Sequence, residues 1–91
     1  MIKSFKHKGL KQLFEEGSSS KVNPQQRAKC LRILDALDMA LVPEDMNLPG
    51  WGFHGLQGKP KRYSVTITGN WRITFELKAS DAIAVNYENY H

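Results

Sequence analysis

The residues able to do chemistry in this chain are histidines, one arginine and a tyrosine. His54 stands in a glycine-rich segment, Arg72 lies among alternating apolar residues, and Tyr90 and His91 are the last two residues. Histidine and tyrosine can transfer protons, and arginine can hold a phosphate through two parallel hydrogen bonds. These residue types suit RNA cleavage without a metal, in which a neighbouring ribose 2′-hydroxyl attacks the phosphate. Each also has a plain alternative, a loop histidine for His54 and a frayed chain end for Tyr90 and His91, so spacing alone indicates only a basic α+β domain able to bind nucleic acid.

A run of cations follows His54 in the sequence, formed by Lys59, Lys61 and Arg62. By itself such a run is most often a solvated surface loop, but beside a site it would hold RNA through its phosphates. The whole chain has 13 Lys and Arg against 9 Asp and Glu, with a pI of about 9.4. This moderate excess favours a polyanionic partner, although many basic proteins bind no nucleic acid.

Other classes of catalytic site find no support in the sequence. It has no His and Cys residues at zinc spacing, no phosphate-binding glycine loop and no acidic pair for two metal ions, because Asp81 and Glu88 are isolated. We therefore expect no metal and no cofactor.

The sequence also indicates a cytoplasmic protein without a membrane partner. Cys30 is the only cysteine and cannot form an internal disulfide, which favours a reducing compartment. The opening residues contain no apolar run of signal-peptide length, and no segment approaches the ~20 apolar residues that a membrane helix requires.

The elements that position these residues begin with a short strand predicted at residues 2–5 and a helix at residues 8–16. A second helix is predicted from Asn23, a good N-cap, to Pro43, with Gln26 at the capping-box position. Its apolar residues recur every three to four positions: Ala28, Leu31, Leu34, Leu37 and Leu41, widened by Cys30 and Ile33.

Residues 42–61 are rich in proline and glycine, so regular structure should be sparse there, with a short strand near residues 51–56. The last third is predicted to be an antiparallel meander. The Gly69-Asn70 pair closes a hairpin, and a second turn at residues 79–81 leads to a final strand. That strand is expected to place Ile83, Val85 and Tyr87 on one face.

Alternation in the strand after Asn70 decides where Arg72 points. Trp71, Ile73 and Phe75 share one face, so Arg72 must project from the other. If the apolar set is core, Arg72 lies on the open face of the sheet, where a ligand can bind. The whole chain, residues 1–91, is then one α+β domain with a sheet packed against helices.

Three stretches resemble one known family. They are MIKSFKHKGLKQLF at residues 1–14, GNWRITF at residues 69–75 and NYENYH at residues 86–91. In these motifs, in their order and in its length, the chain resembles HigB-type toxins, the plasmid maintenance system killer proteins of the RelE/ParE toxin superfamily. The resemblance runs over nearly the whole chain.

The resemblance implies a RelE-like fold, with a small curved antiparallel sheet packed against an N-terminal pair of helices. It implies the toxin of a type II toxin-antitoxin system that acts as a ribosome-dependent endonuclease on mRNA in the decoding site. It further implies neutralisation by a HigA-type helix-turn-helix antitoxin. Operator DNA would be bound only through the toxin-antitoxin complex, which would repress its own promoter.

The site residues that the resemblance implies are four. His54 matches the histidine of the family's usual His-Pro-Leu-Lys-Gly segment, Arg72 matches the arginine of its Asn-Trp-Arg motif, and Tyr90 and His91 match its C-terminal pair. The chain departs from the family at Gln57, where many relatives carry lysine, and at Thr68, where some carry arginine. The cations available as substitutes are Lys59, Lys61 and Arg62.

Two other functions remain open on the sequence. A ParE-like relative would poison DNA gyrase, but that activity needs no proton-transfer residues such as His54 and His91. A catalytically weak toxin would act only as a corepressor with its antitoxin, and Gln57 is the feature that favours this alternative.

Overall fold

The computed structural model describes residues 1–89, with a helical layer from the first half of the chain and an antiparallel sheet from the second. Helix α1 spans Lys8–Glu16, as the sequence predicts. His7 caps its start, because Nδ1 of the imidazole accepts a hydrogen bond from the Leu10 N–H at 3.0 Å. Gly17 ends it in the left-handed conformation, at φ 84°, and donates its N–H to the Leu13 carbonyl.

Helix α2 spans Arg27–Met39 and follows a 3-10 turn at Pro24–Gln26. Asn23 caps this turn by accepting a hydrogen bond from the Gln25 N–H at 3.1 Å, as predicted. The predicted capping-box role of Gln26 is wrong. Its side chain is buried and accepts a hydrogen bond from the Tyr87 hydroxyl of the sheet.

The apolar stripe predicted for α2 is correct only in part. Ala28 and Leu41 are exposed, Leu31 is half-buried, and Leu41 lies beyond the end of the helix. The helix stops early because Ala40 is extended and Asp45 Oδ2 accepts hydrogen bonds from the N–H groups beyond it, at 2.9 Å from Leu41. The residues that α2 buries are Cys30, Ile33, Leu34 and Leu37.

The sheet contains four antiparallel strands in the order β1-β2-β3-β4. They span His54–Leu56, Arg62–Thr68, Trp71–Lys78 and Asp81–Asn89. Residues 69–70 form the predicted turn between β2 and β3, and β1 confirms the short strand predicted in the proline-rich segment. Asp81, which we assigned to the second turn, instead opens β4.

A β-bulge in β4 overturns one prediction. Thr74 pairs with Asn86 and Glu76 pairs with Ile83, so Phe75 faces both residues 84 and 85. Ala84 takes up the extra residue with φ 53°. The alternation shifts by one there, so Ala82 is buried in place of Ile83, which is half-buried.

The bulge also affects the opening segment, which was predicted as a strand. Residues 2 and 5 make isolated parallel bridges to Ala82, before the bulge, and to Val85, within it, and no continuous strand forms. Between them Ser4 Oγ accepts a hydrogen bond from the Ala84 N–H at 2.9 Å. The backbone N–H of the bulge residue Ala84 therefore donates to a side-chain hydroxyl, whereas in a regular strand it would donate to a backbone carbonyl.

The helices pack on one face of the sheet and leave the other face open. The core between them is formed by the buried helix residues together with Val65, Ile67, Ile73, Phe75, Val85 and Tyr87 of the sheet. No helix in the described part of the chain has the length and apolar character needed to cross a bilayer.

Candidate active site

The open face of the sheet carries an open cavity of about 320 Å³. It is lined by residues of the first three strands and of the turn between β2 and β3: His54, Leu56, Ser64, Thr66, Gly69, Asn70, Trp71 and Arg72. His54 and Arg72, far apart in the sequence, therefore contribute to the same cavity.

Arg72 reaches this face by the alternation that the sequence predicts. It is paired with Thr66 of β2, while the neighbouring Ile73 is paired with Val65 and both are fully buried. The apolar set holds β3 against the helices, so the guanidinium group is carried on a strand that is fixed from behind. Such anchoring suits a group that must meet a phosphate in a defined position.

His54 is exposed at the start of β1 and is held from its backbone side. Its Nδ1 lies 3.0 Å from the Gly52 carbonyl oxygen. Since a carbonyl can only accept, Nδ1 donates this hydrogen bond, and in the neutral ring Nε2 is then left as the proton acceptor. Nε2 is therefore the nitrogen of His54 that can accept a proton from a substrate.

The segment before His54 is fixed to β2. Thr66 donates its N–H to the Trp51 carbonyl at 2.7 Å. Gly52 has φ 55°, and a Cβ there would lie 2.9 Å from the Thr66 hydroxyl, so only glycine fits without a shift. The tight turn places His54 opposite Ser64 in the sheet register.

Glu88, described as isolated in the sequence, lies among the charged groups of this face. It is the register partner of Arg72, and its Oε2 accepts a hydrogen bond from the Thr74 hydroxyl and lies 3.4 Å from Arg62 Nη1. Burial raises the pKa of Glu88, but the Thr74 hydrogen bond and the charges of Arg62 and Arg72 outweigh it and hold the pKa below its ordinary value. No signal in the sequence reveals this contact, because Arg72 and Glu88 come into register only beyond the bulge in β4.

Ser64 is a second residue that the sequence analysis missed. Its side chain lines the cavity, yet it is fully buried, and its hydroxyl has no hydrogen-bond partner among the described residues. Buried polar groups in proteins are nearly always hydrogen-bonded, so this hydroxyl is an exception, and its full burial keeps it out of contact with a ligand in this conformation.

None of the three predicted RNA-binding cations lines the cavity, as far as the described residues define its walls. Lys61 Nζ donates to the Leu56 carbonyl at 3.1 Å and lies 5.7 Å from the centre of the Tyr63 ring. Lys59 is exposed in the loop before β2, and Arg62 is paired with Glu88.

The predicted C-terminal pair, Tyr90 and His91, lies outside the described residues. The last described residue of β4, Asn89, is paired with Trp71, which lines the cavity. Trp71 is half-buried and stacks on Tyr87, with ring centres 4.6 Å apart, so it supports the core and borders the cavity at once.

Within residues 1–89, no three His, Cys, Asp or Glu side chains are grouped as ligands for a metal ion.

Comparison with known proteins identifies relatives over the length of the chain. A family model described as "RelE-like toxin of type II toxin-antitoxin system HigB" matches residues 3–91. The protein named "Endoribonuclease HigB" from Proteus vulgaris is 46% identical over 92 residues, an alignment that covers 100% of each chain.

Proposed function

The chain belongs to the HigB family of RelE-like toxins of type II toxin-antitoxin systems, and from that membership we propose that it is an endoribonuclease that cuts messenger RNA on the ribosome. The observation that carries the proposal is the shared cavity of His54 and Arg72 on the open face of the sheet. An antitoxin is its partner by family membership, and we propose one of the HigA helix-turn-helix type. Operator DNA is bound only through that complex, and the site of action is the cytoplasm.

Arg72 binds the scissile phosphate in the proposed mechanism. Attack by the ribose 2′-hydroxyl adds negative charge to the phosphoryl oxygens, and a guanidinium held on a packed strand can neutralise that charge with little reorganisation.

His54 and His91 share the two proton transfers. One takes the proton of the 2′-hydroxyl and the other protonates the 5′-oxygen that leaves. The proton-accepting Nε2 that the Gly52 contact leaves on neutral His54 supports such a role. Tyr90 stacks on a substrate nucleotide or hydrogen-bonds to it. Asn89, the last described residue of β4, is paired with Trp71 of the cavity lining, and this supports the proposal.

Lys61 is the best placed substitute for the lysine that many relatives carry at the position of Gln57. Its Nζ lies 3.1 Å from the carbonyl of Leu56, the residue before Gln57, and Leu56 lines the cavity. A cation at that point lies near the rim where the message must enter. Lys59 and Arg62 contribute phosphate contacts to the message or to ribosomal RNA.

The proposal is tested by primer extension on a defined message after incubation with purified protein and ribosomes. We expect discrete cuts that need both ribosomes and protein, and no cuts with the Arg72→Ala protein. Intact message together with a DNA-damage response in expressing cells would favour gyrase poisoning. Intact message with retained operator repression in the presence of antitoxin would favour a corepressor. Either result would overturn the proposal.

A further inference from the structure

Glu88 is an unexpected neighbour for a site that binds a polyanion. Its carboxylate lies on the face that carries Arg72, and its side chain is 28% exposed. A negative charge there repels RNA phosphates, so it weakens substrate binding. We therefore expect this carboxylate to have a role that offsets its unfavourable effect on RNA binding.

The contacts of Glu88 indicate what that benefit is. The carboxylate is fixed by the Thr74 hydroxyl of the adjacent strand, and it is ion-paired with Arg62 at 3.4 Å. Arg72 is its direct partner in the β3–β4 register, and side chains of paired residues lie on the same face a few ångströms apart. Glu88 is thus an anchored anion that is ion-paired with Arg62 of β2 and lies beside Arg72 in the β3–β4 register.

Its ionisation state agrees with this arrangement. Burial raises the pKa of Glu88, but the hydrogen bond from Thr74 and the charges of Arg62 and Arg72 lower it further than burial raises it. The carboxylate is therefore charged at neutral pH and attracts both guanidinium groups.

We propose that Glu88 is a positioning residue that holds the Arg72 and Arg62 side chains in place on the open face before RNA arrives. This inference rests on the proposed function, in which Arg72 neutralises the phosphate. Arginine has a long, flexible side chain, and restricting it before the reaction removes an ordering cost from the transition state. Glu88 accordingly weakens RNA binding through its charge and accelerates cleavage through the placement of Arg72.

The opposite signs of these two effects make the proposal testable. Glu88→Gln keeps an acceptor for Thr74 and removes the charge, and Glu76→Gln is a matched control. Glu76 lies on the same strand face as Thr74, is paired with Lys78 at 3.9 Å, and is not among the residues that line the cavity. We expect Glu88→Gln to bind ribosomes carrying a non-cleavable 2′-deoxy message more tightly and to cut an ordinary message roughly tenfold more slowly at saturation. The control should change neither quantity.

A merely structural role would give a different result, because binding and rate would fall together with the melting temperature. That outcome, or an unchanged rate, would overturn the proposal. Glu88→Asp, which restores the charge on a shorter side chain, should recover part of the rate.

A second readout separates this inference from the proposed function. The Arg72 Nε–Hε signal in an NMR spectrum of the isolated protein reports the environment of the guanidinium without any cleavage. We expect this signal to shift in Glu88→Gln and to stay in place in Glu76→Gln. If wild-type protein leaves messages intact while the signal still shifts, the proposed function fails and the positioning role stands. If the signal does not move, the positioning role fails.

Discussion

At the scale of single residues, the proposed site is built on His54 and Arg72, which 17 intervening positions separate in the sequence and which line the same cavity. Arg72 supplies charge from a strand with a fully buried neighbour, and His54 supplies a proton acceptor from a turn held by Gly52. The two residues are carried by different elements, β3 and β1. Each can therefore be tested alone.

Arg72→Ala should reduce the rate of message cleavage by about 10²-fold or more, because it removes an interaction made mainly in the transition state. Arg72→Lys should recover little, since lysine cannot form the bidentate contact. The measurement is single-turnover cleavage on programmed ribosomes. Lys78→Ala, at the exposed far end of the same strand, is the control and should leave the rate unchanged. Full growth inhibition by the Arg72→Ala protein at equal expression would contradict the assigned role.

The departure at Gln57 gives a second prediction. Lys61→Gln should slow cleavage roughly tenfold if its ammonium group supplies the charge that relatives place one residue after Leu56. Adding Gln57→Lys to that variant should restore much of the loss, because the cation returns to its usual position. Lys8→Gln, at an exposed lysine of α1 that does not line the cavity, serves as the control. If the double variant cuts the message no faster than Lys61→Gln, a cation at position 57 does not replace the one at position 61.

At the scale of elements, the sequence predicts the strand that matters most and fails where the ladder is irregular. The alternation around Arg72 is correct because β3 pairs regularly with β2 from Tyr63 to Thr66. The prediction for Ile83 is wrong because the bulge shifts the alternation of side chains by one residue. The bulge is visible in the positive φ of Ala84, and alanine is not a residue type from which a positive φ is expected. Local spacing cannot report such a shift.

The remaining misses share a cause. The spacing of Gln26 from Asn23 fits a capping box, but its side chain instead accepts a hydrogen bond from the Tyr87 hydroxyl across the core. Glu88 has no charged neighbour in the sequence and gains Arg62 and Arg72 only when three strands assemble. A prediction made from the residues of one segment fails where a distant element forms a stronger contact with a side chain of that segment.

The bulge itself gives a prediction about stability. Ala84 has φ 53°, a conformation that costs an L-residue about 1 kcal/mol and glycine almost nothing. Ala84→Gly should therefore raise the free energy of unfolding by about 0.5–1 kcal/mol, measured by urea denaturation. Ala82→Gly, two residues earlier in the same strand and fully buried, should lower it. Destabilisation by both changes would contradict the conformational account of the bulge.

The cap of α1 predicts a dependence of stability on pH. Burial, with a smaller contribution from the charge of Lys21, holds the pKa of His7 below its ordinary value of 6.5. Because the unfolded chain then binds more protons than the folded one, stability is highest above pH 6.5 and falls as the pH drops through that value. Protonation also removes the Nδ1 acceptor that caps Leu10.

Thermal melts between pH 7.5 and pH 5.5, a range chosen to lie above the titration of ordinary carboxyl groups at about 4, test this point. His7→Asn should keep the cap and flatten the pH dependence. His7→Ala should flatten it too, but at a stability about 1 kcal/mol lower throughout, because the cap is lost. If the melting temperature of His7→Asn still falls between pH 7.5 and pH 5.5, a group other than His7 causes the pH dependence.

At the scale of the whole molecule, the two faces of the sheet have different roles. The helices and the apolar residues of β2–β4 form the core, and the opposite face of the sheet carries the cavity with its charged and hydroxyl side chains. Charge is distributed unevenly as well. Residues 35–58 contain four acidic residues and neither Lys nor Arg, whereas the cations Lys59, Lys61 and Arg62 follow directly. A basic edge beside the cavity suits an RNA substrate.

The central claim is that this face lets the message's own ribose cut its backbone. The most direct test uses ribosomes programmed with a message that carries a single 2′-deoxynucleotide 5′ to the scissile phosphate. We predict that the ordinary message is cut to leave a 2′,3′-cyclic phosphate and a 5′-hydroxyl, and that the 2′-deoxy message stays intact. Cleavage of both messages at the same rate, or a product with a 5′-phosphate, would contradict the mechanism.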